Sequence, residues 1–150
     1  MMNNNERLEY FKEQCRKHGL KITMQRLIIY QALADDRSHP CADDIYQRIH
    51  REYPNISYDT LNRTLLTFSR IGLIKTISHH GPKRRFDTVI ADHHHLCCIR
   101  CHKIIDFESE ELDQITVPDR IKDKYTILGK KVVIECICDE CMKKDKKGGK

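Results

Sequence analysis

The chain has no tryptophan and only 6 glycines and 4 prolines in 150 residues, which excludes collagen-like and low-complexity architectures. No stretch approaches the ~20 consecutive apolar residues of a membrane span. Met1 to Cys15 lack the apolar h-region of a secretory signal. A cytoplasmic protein without a membrane anchor is therefore expected. Hydrophobic residues make up only 39% of the chain beside 33% charged residues, which is lean for a single large core. Two modest cores, one of them helped by a metal, fit better.

Charge is unevenly spread. Residues 1–87 carry 15 Lys+Arg against 10 Asp+Glu, whereas residues 88–150 carry 12 of each. Five lysines and one aspartate of the second part fall in residues 143–150, so residues 88–142 are net acidic. A basic front half points to a polyanionic partner there.

Apolar spacing predicts a helix over 6–18, ended by Gly19, and a second from Thr23 as N-cap to about Ala34. A turn follows at Asp35 to Ser38. Pro40 is placed near N1 of a third helix over 41–52. Ser57 caps a fourth, with Leu61, Leu65, Phe68 and Ile71 on its apolar face and Gly72 at its end. Leu73 to Ser78 and Lys83 to Val89 read as two strands joined by a turn at His79-His80-Gly81-Pro82. Helices followed by a basic hairpin are the order of a winged helix, in which one helix enters the major groove and the hairpin reaches the backbone. Arg63, Thr64 and Arg70 on the fourth helix and Lys83, Arg84 and Arg85 on the wing are candidate DNA contacts, to which Arg26, Tyr58, Thr60 and Asn62 are added.

Beyond residue 90 the texture changes. Short strands are expected at His93 to Cys97 and Lys103 to Phe107, a helix from Glu108 to about Lys122 with Pro118 near its end or breaking it, and a strand over Lys131 to Ile137. The fold class is α+β: residues 1–88 a winged-helix DNA-binding domain, 89–142 a small α/β domain, and 143–150 a flexible Lys-rich tail.

Eight cysteines without a secretory signal favour metal binding over disulfides. Cys98/Cys101 and Cys138/Cys141 form two C-x-x-C pairs 36 residues apart, and four thiolates close the tetrahedron of structural Zn2+. A pair of redox dithiols is the alternative, but no helix is expected to start at either pair. Cys97 and Cys136 fall on strands and read as buried or spare thiols. A second set of donors comprises His39, Asp87, Asp92, His93, His94, His95 and Asp106. On a strand His93 and His95 share a face and His94 points away. Imidazoles with carboxylates suit Fe2+, Mn2+ or Zn2+.

Several segments together resemble the ferric uptake regulator family over roughly Leu8 to Lys144. They are Gly19-Leu20-Lys21-Ile22-Thr23-Met24-Gln25-Arg26, Ser38-His39-Pro40-Cys41-Ala42-Asp43-Asp44-Ile45-Tyr46, Thr60-Leu61-Asn62-Arg63-Thr64-Leu65, Gly72-Leu73-Ile74, Arg85-Phe86-Asp87, Asp92-His93-His94-His95-Leu96-Cys97-Cys98, Lys103-Ile104-Ile105-Asp106-Phe107 and the final C-x-x-C. The resemblance implies a homodimeric, metal-dependent repressor of operator DNA, with residues 89–142 as its metal-binding dimerisation domain, no enzymatic activity and no small-molecule substrate. It implies structural Zn2+ on Cys98, Cys101, Cys138 and Cys141, and a regulatory Fe2+ or Mn2+ on His39, Asp87, His93, His95 and Asp106, bridging the domains. In this family the last ligand is typically Asp in peroxide sensors, as at Asp106, and Glu in iron sensors. Peroxide sensing implies oxidation of His39 or His93 in the iron form. Iron- or zinc-responsive regulation within the same family, and a thiol-based redox protein using its C-x-x-C pairs, are the alternatives. Four positions depart from the family pattern: Met24 for Pro at a helix start, Asn62 for Tyr on the recognition helix, His102 for Gly in the first knuckle, and Lys130 where iron-type members carry an additional His.

Overall fold

A computed structural model of the chain describes residues 3–34, 36–77, 81–89 and 93–148, the last four of these by backbone only. Asp35, Ser78, His79, His80 and Asp92, which figure in the expectations above, lie outside the described residues. The chain divides into two compact units, Met1–Ser78 with Pro82–Ile90, and His79–Gly81 with Ala91–Lys150.

In the first unit, α1 (Asn4–Lys17) starts at a capping box. The Asn3 side chain accepts the Glu6 N–H at 3.0 Å, and the Glu6 carboxylate accepts the Asn3 N–H at 2.7 Å. Gly19 leaves the helix at φ +63°, a conformation that suits glycine. α2 (Met24–Ala34) begins after Thr23, whose hydroxyl accepts the Arg26 N–H at 3.3 Å. α3 (Ala42–Ile49) is capped by Cys41 rather than opened by Pro40 at N1, because the Asp44 carboxylate reaches back to the Cys41 N–H at 2.8 Å. α4 (Tyr58–Arg70) is capped by Ser57, whose hydroxyl accepts the Thr60 N–H at 3.1 Å.

Phe11, Tyr30 and Phe68 meet at the centre of this unit, with ring centroids 4.8 Å apart for Phe11–Tyr30 and 5.9 Å for Phe11–Phe68. Around them Ile29, Leu33, Ile45, Ile56, Leu61 and Leu65 are fully buried. Gly72 turns the chain at φ +73° into β1 (Lys75–Ile77), which pairs antiparallel with β2 (Arg85–Asp87). Both strands are shorter than the sequence predicts. The ladder is anchored from behind where the Phe86 N–H donates to the Pro40 carbonyl at 3.1 Å.

The second unit is built on a three-stranded sheet in the order β4-β3-β5. β3 (His94–Cys98) runs antiparallel to β4 (Ile104–Phe107) and parallel to β5 (Val133–Cys136). The single helix expected over Glu108 to Lys122 is two short ones, α5 (Glu110–Asp113) and α6 (Asp119–Lys122). Pro118 is the N-cap of the second, since proline disfavours helical geometry in the residue before it. α7 (Asp139–Gly148) starts inside the second C-x-x-C pair, contrary to the expectation that no helix begins there. It also carries the Lys-rich stretch on as helix to Gly148.

Candidate metal centres and nucleic-acid interface

The second unit gathers Cys98, Cys101, Cys138 and Cys141 from the end of β3, the knuckle after it and the start of α7. Their four sulfurs all lie within 4.8 Å of one another. Cys98 and Cys141 sulfurs are 3.9 Å apart, and Cys101 and Cys138 sulfurs 3.6 Å. Four sulfurs on one ion with ~2.3 Å arms would stand about 3.8 Å apart along each tetrahedral edge, so the donor set fits zinc in both chemistry and spacing. His102 holds the knuckle at φ +59°, the conformation for which glycine is better suited. Its N–H donates to the Cys98 carbonyl at 3.0 Å. Backbone N–H groups of Cys101 and Cys138 point at the Cys98 sulfur and hold its thiol down to about 6. Burial and hydrogen bonds to the neighbouring thiols push Cys141 up to about 12. Without an ion the cluster would thus keep its negative charge unequally, whereas a divalent cation stabilises all four thiolates together.

Of the remaining cysteines, Cys15, Cys41 and Cys97 are buried. Cys136 is half-buried and packs against the four-cysteine cluster, which a spare strand thiol need not do.

A second donor group in the same unit lies at the start of β3. His93 and His95 stand on one face with ring centroids 4.5 Å apart. Their Nε2 atoms approach the same Asp106 Oδ1, at 3.5 and 3.4 Å. Asp106 sits directly opposite His95 in the β3–β4 ladder. These separations exceed ordinary hydrogen-bond lengths; they match the ~3.4 Å spacing of tetrahedrally arranged N/O donors held at ~2.1 Å from one ion. His94 points to the other face, with its Nε2 3.2 Å from Asp113 and its ring against Phe107. Lys130 donates through Nζ to the backbone carbonyls of Asp113 and Ile115. A protonated amine there is a donor and offers no metal ligand.

His39 and Asp87 belong to the first unit, and both are buried. His39 has φ +54°, uncommon for a residue with a Cβ. Its conformation is held by the Pro40 carbonyl bonded to Phe86 and by Arg85, whose guanidinium reaches the His39 carbonyl at 3.4 Å and Asp44 at 3.2 Å. The sequence offers no sign of the strained backbone at His39. Arg85, read from the sequence as a wing contact, instead ties β2 to the first turn of α3. Asp87 accepts the Val89 N–H at 2.7 Å.

The nucleic-acid candidates of the first unit divide in the same way. Arg26, Thr60, Arg63 and Thr64 line an open cavity of about 320 Å³ with Asp59 and Thr67. Arg63 is exposed and lies 3.6 Å from Asp59, one turn back. Arg26 also donates to the Lys21 carbonyl. Thr64, read from the sequence as part of the polar face, is largely buried at the inner edge of α4. Asn62 is half-buried, and Arg70 and Arg84 are exposed. Tyr58 and Lys83 converge on one acidic residue that the pattern of the sequence does not mark. The Tyr58 hydroxyl bonds to Asp43, and the Lys83 Nζ lies 2.6 Å from the Asp43 carboxylate. These partners hold the half-buried Asp43 carboxyl below the usual carboxylate range.

Residues 17–141 match the sequence profile described as the ferric uptake regulator family. The peroxide operon regulator of Bacillus subtilis (strain 168) is 35% identical over 140 residues, covering 93% of this chain and 94% of that protein. The peroxide-responsive repressor PerR of Staphylococcus epidermidis (strain ATCC 12228 / FDA PCI 1200) is 35% identical over 126 residues, 84% of each chain. Among solved structures, the Helicobacter pylori ferric uptake regulator Fur superimposes with a TM-score of 0.75 at 22% identity, covering 94% of this chain and 95% of that one. At that identity the match speaks for the fold.

Proposed function

The chain belongs to the ferric uptake regulator family, whose members are metal-dependent transcriptional regulators and not enzymes, and we propose that within it this protein is a peroxide-responsive repressor. The carrying observation is that two imidazoles, His93 and His95, converge on a single oxygen of an aspartate, Asp106. Aspartate is the residue expected of peroxide sensors at this position. The names of the two curated relatives, a peroxide operon regulator and a peroxide-responsive repressor, support the same reading. So does Lys130, which withholds a further imidazole.

In this proposal Cys98, Cys101, Cys138 and Cys141 hold structural Zn2+. His93, His95 and Asp106 hold Fe2+ or Mn2+, with His39 and Asp87 as the further ligands the family resemblance implies, so that metal binding is linked to operator binding. Linkage of this kind is reciprocal: operator binding tightens the metal as much as metal tightens the operator. Iron held there would supply reducing power toward peroxide. His39 and His93 are the rings placed for oxidation, and oxygenation of either ring would remove a basic nitrogen donor.

Arg26, Tyr58, Thr60, Asn62, Arg63, Lys83 and Arg84 are the proposed operator contacts, with α4 in the major groove and the β1–β2 hairpin at the backbone. The proposed protein is a cytoplasmic homodimer, and its pairing is supported by the apolar surface of the second unit. Ile105, Ile115, Tyr125, Ile127, Leu128 and Ile134 are exposed, and β5 is an edge strand. No helix among the described residues is long and apolar enough to cross a membrane.

The test is operator binding by the zinc-loaded chain with Fe2+ or Mn2+, each with and without hydrogen peroxide. Loss of binding in the iron form alone, with one oxygen added to His39 or His93 by mass spectrometry, is the expected result. Peroxide-insensitive binding that depends on which metal is present would instead identify an iron- or zinc-responsive regulator.

A further inference from the structure

Cys136 stands apart from the two C-x-x-C pairs, yet β5 brings it beside one of them. In the parallel β3–β5 ladder Cys136 is the register partner of Cys98. Register partners on adjacent parallel strands lie on the same face with their Cα atoms about 4.8 Å apart, inside the roughly 4.4–6.8 Å range over which a disulfide can close. The pairing is fixed by the Ile99 N–H, which donates to the Cys136 carbonyl at 2.9 Å. Cys136 also packs against the buried cluster of Cys98, Cys138 and Cys141. It is half-buried, so a small oxidant can reach it, whereas Cys98 is 2% exposed. Cys97 is the other cysteine of this unit outside the pairs. It precedes Cys98 on the same strand and points to the opposite face.

We infer that Cys136 is the thiol through which a hydroperoxide opens the four-cysteine zinc site, by forming a disulfide with Cys98. The inference rests on the zinc reading of that cluster. In the first step the peroxide O–O bond breaks and an S–O bond forms. Cys136 is oxidised by two electrons to its sulfenic acid, and the peroxide is reduced to water or an alcohol. In the second step the Cys98 thiolate attacks the Cys136 sulfur. The S–S bond forms, the S–O bond breaks, and the departing hydroxide takes a proton from solvent to give water. The net change is two thiols and one hydroperoxide giving one disulfide, one water and one water or alcohol. Zinc loses one of four thiolates and is released. The disulfide would restrain β3 against β5 after the ion has gone, and it is reversible by thiol exchange.

The zinc-loaded full chain is treated with excess hydrogen peroxide while a chromogenic chelator reports released zinc. Aliquots are alkylated and mapped without reduction. One zinc per chain at the start tests the metal assignment separately; a chain purified without zinc overturns that assignment and this inference with it. The expected result is a Cys98–Cys136 peptide accumulating in step with zinc release, a release at least about fivefold slower in Cys136→Ser, and no change in Cys97→Ser. Zinc release at the same rate in Cys136→Ser, or disulfides confined to the two C-x-x-C pairs, overturns it. If Cys136→Ser does not hold zinc, the map of the unsubstituted protein decides alone.

Discussion

In the first unit Phe11, Ile29, Leu33, Ile45, Leu61, Leu65 and Phe68 close a continuous apolar interior drawn from four helices. In the second, Cys98, Cys138 and Cys141 form a buried cluster, α5 and α6 bury no residue, and Val133, Ile134 and Glu135 of β5 are exposed. The two halves of the chain therefore depend on different physics. One rests on water expelled from packed side chains, which is spread over many residues and tolerates partial damage. The other, with zinc on its four cysteines as proposed, rests on a few coordinate bonds, which are lost together when one ligand goes. That difference suits the regulator proposed above: the half proposed to meet DNA is held by its own apolar interior, and the half proposed to sense depends on a handful of donor atoms.

The sharpest way to break this comparison is to remove the zinc proposed for the four cysteines. Cys98→Ser, or stripping zinc with a strong chelator, is expected to unfold the second unit, because metal binding contributes on the order of 10–16 kcal/mol in small zinc-dependent folds and a whole domain is stable by only ~5–15 kcal/mol. Hydrogen exchange should show lost protection in β3, β4 and β5 with protection retained in α1 to α4. Equal loss in both units would refute the division. The reciprocal damage is smaller. Phe68→Ala removes the ring that meets both Phe11 and Tyr30. It is expected to cost about 3–5 kcal/mol in the first unit, lowering its thermal midpoint while zinc content stays at one per chain.

The same contrast explains what the sequence does and does not reveal. The first unit is legible because helix starts and stops are written locally. Ser57, Thr23 and Gly72 each act where their chemistry predicts, and the aliphatic positions of α4 face inward. The four cysteines are legible because a C-x-x-C pair fixes its own geometry over four residues. The helix expected over Glu108 to Lys122 fails because its apolar spacing has no core to face, so Pro118 decides the outcome. Pro40 misleads because the reach-back of Asp44 to Cys41, a contact three residues long, selects the cap. The positive φ of His39 and the place of Cys136 beside Cys98 depend on pairings 46 and 38 residues apart. No local pattern carries such information.

A milder test probes how the first unit ties its wing to its helices. Burial pushes the Asp44 carboxyl up, but the Cys41 N–H, the Cys41 thiol and the Arg85 charge outweigh it and hold the group below its ordinary value. A carboxylate depressed in the folded state adds stability that is fully present above the unfolded pKa, ~3.9, and is lost as pH falls through the lower folded value. Asp44→Asn is therefore expected to cost about 1 kcal/mol near neutral pH, the usual worth of a cap, and to flatten the acid limb below about pH 4. Thermal melts of the first unit from pH 2 to 7 measure both.

The smallest effect expected is at Asp43, and it concerns function more than stability. Lys83 on the wing and Tyr58 at the start of α4 are both proposed to meet the operator, yet each is bound to this one carboxylate. A phosphate entering the site must compete with Asp43 for Lys83, so part of the electrostatic gain of binding is offset in advance. Asp43→Asn removes the competing charge without changing the side chain's shape. Affinity for non-operator duplex is expected to rise about two- to threefold at moderate salt, with the slope of log K against log salt steepening by up to ~1 as one more lysine becomes available to phosphate. Operator affinity should rise less than non-operator affinity, because the contacts that read base edges are untouched. Fluorescence anisotropy on both duplexes across a salt series reads the two changes at once. An Asp43→Asn chain with unaltered affinity and slope on both would mean that Lys83 contacts no phosphate, and that the wing serves only to brace α3.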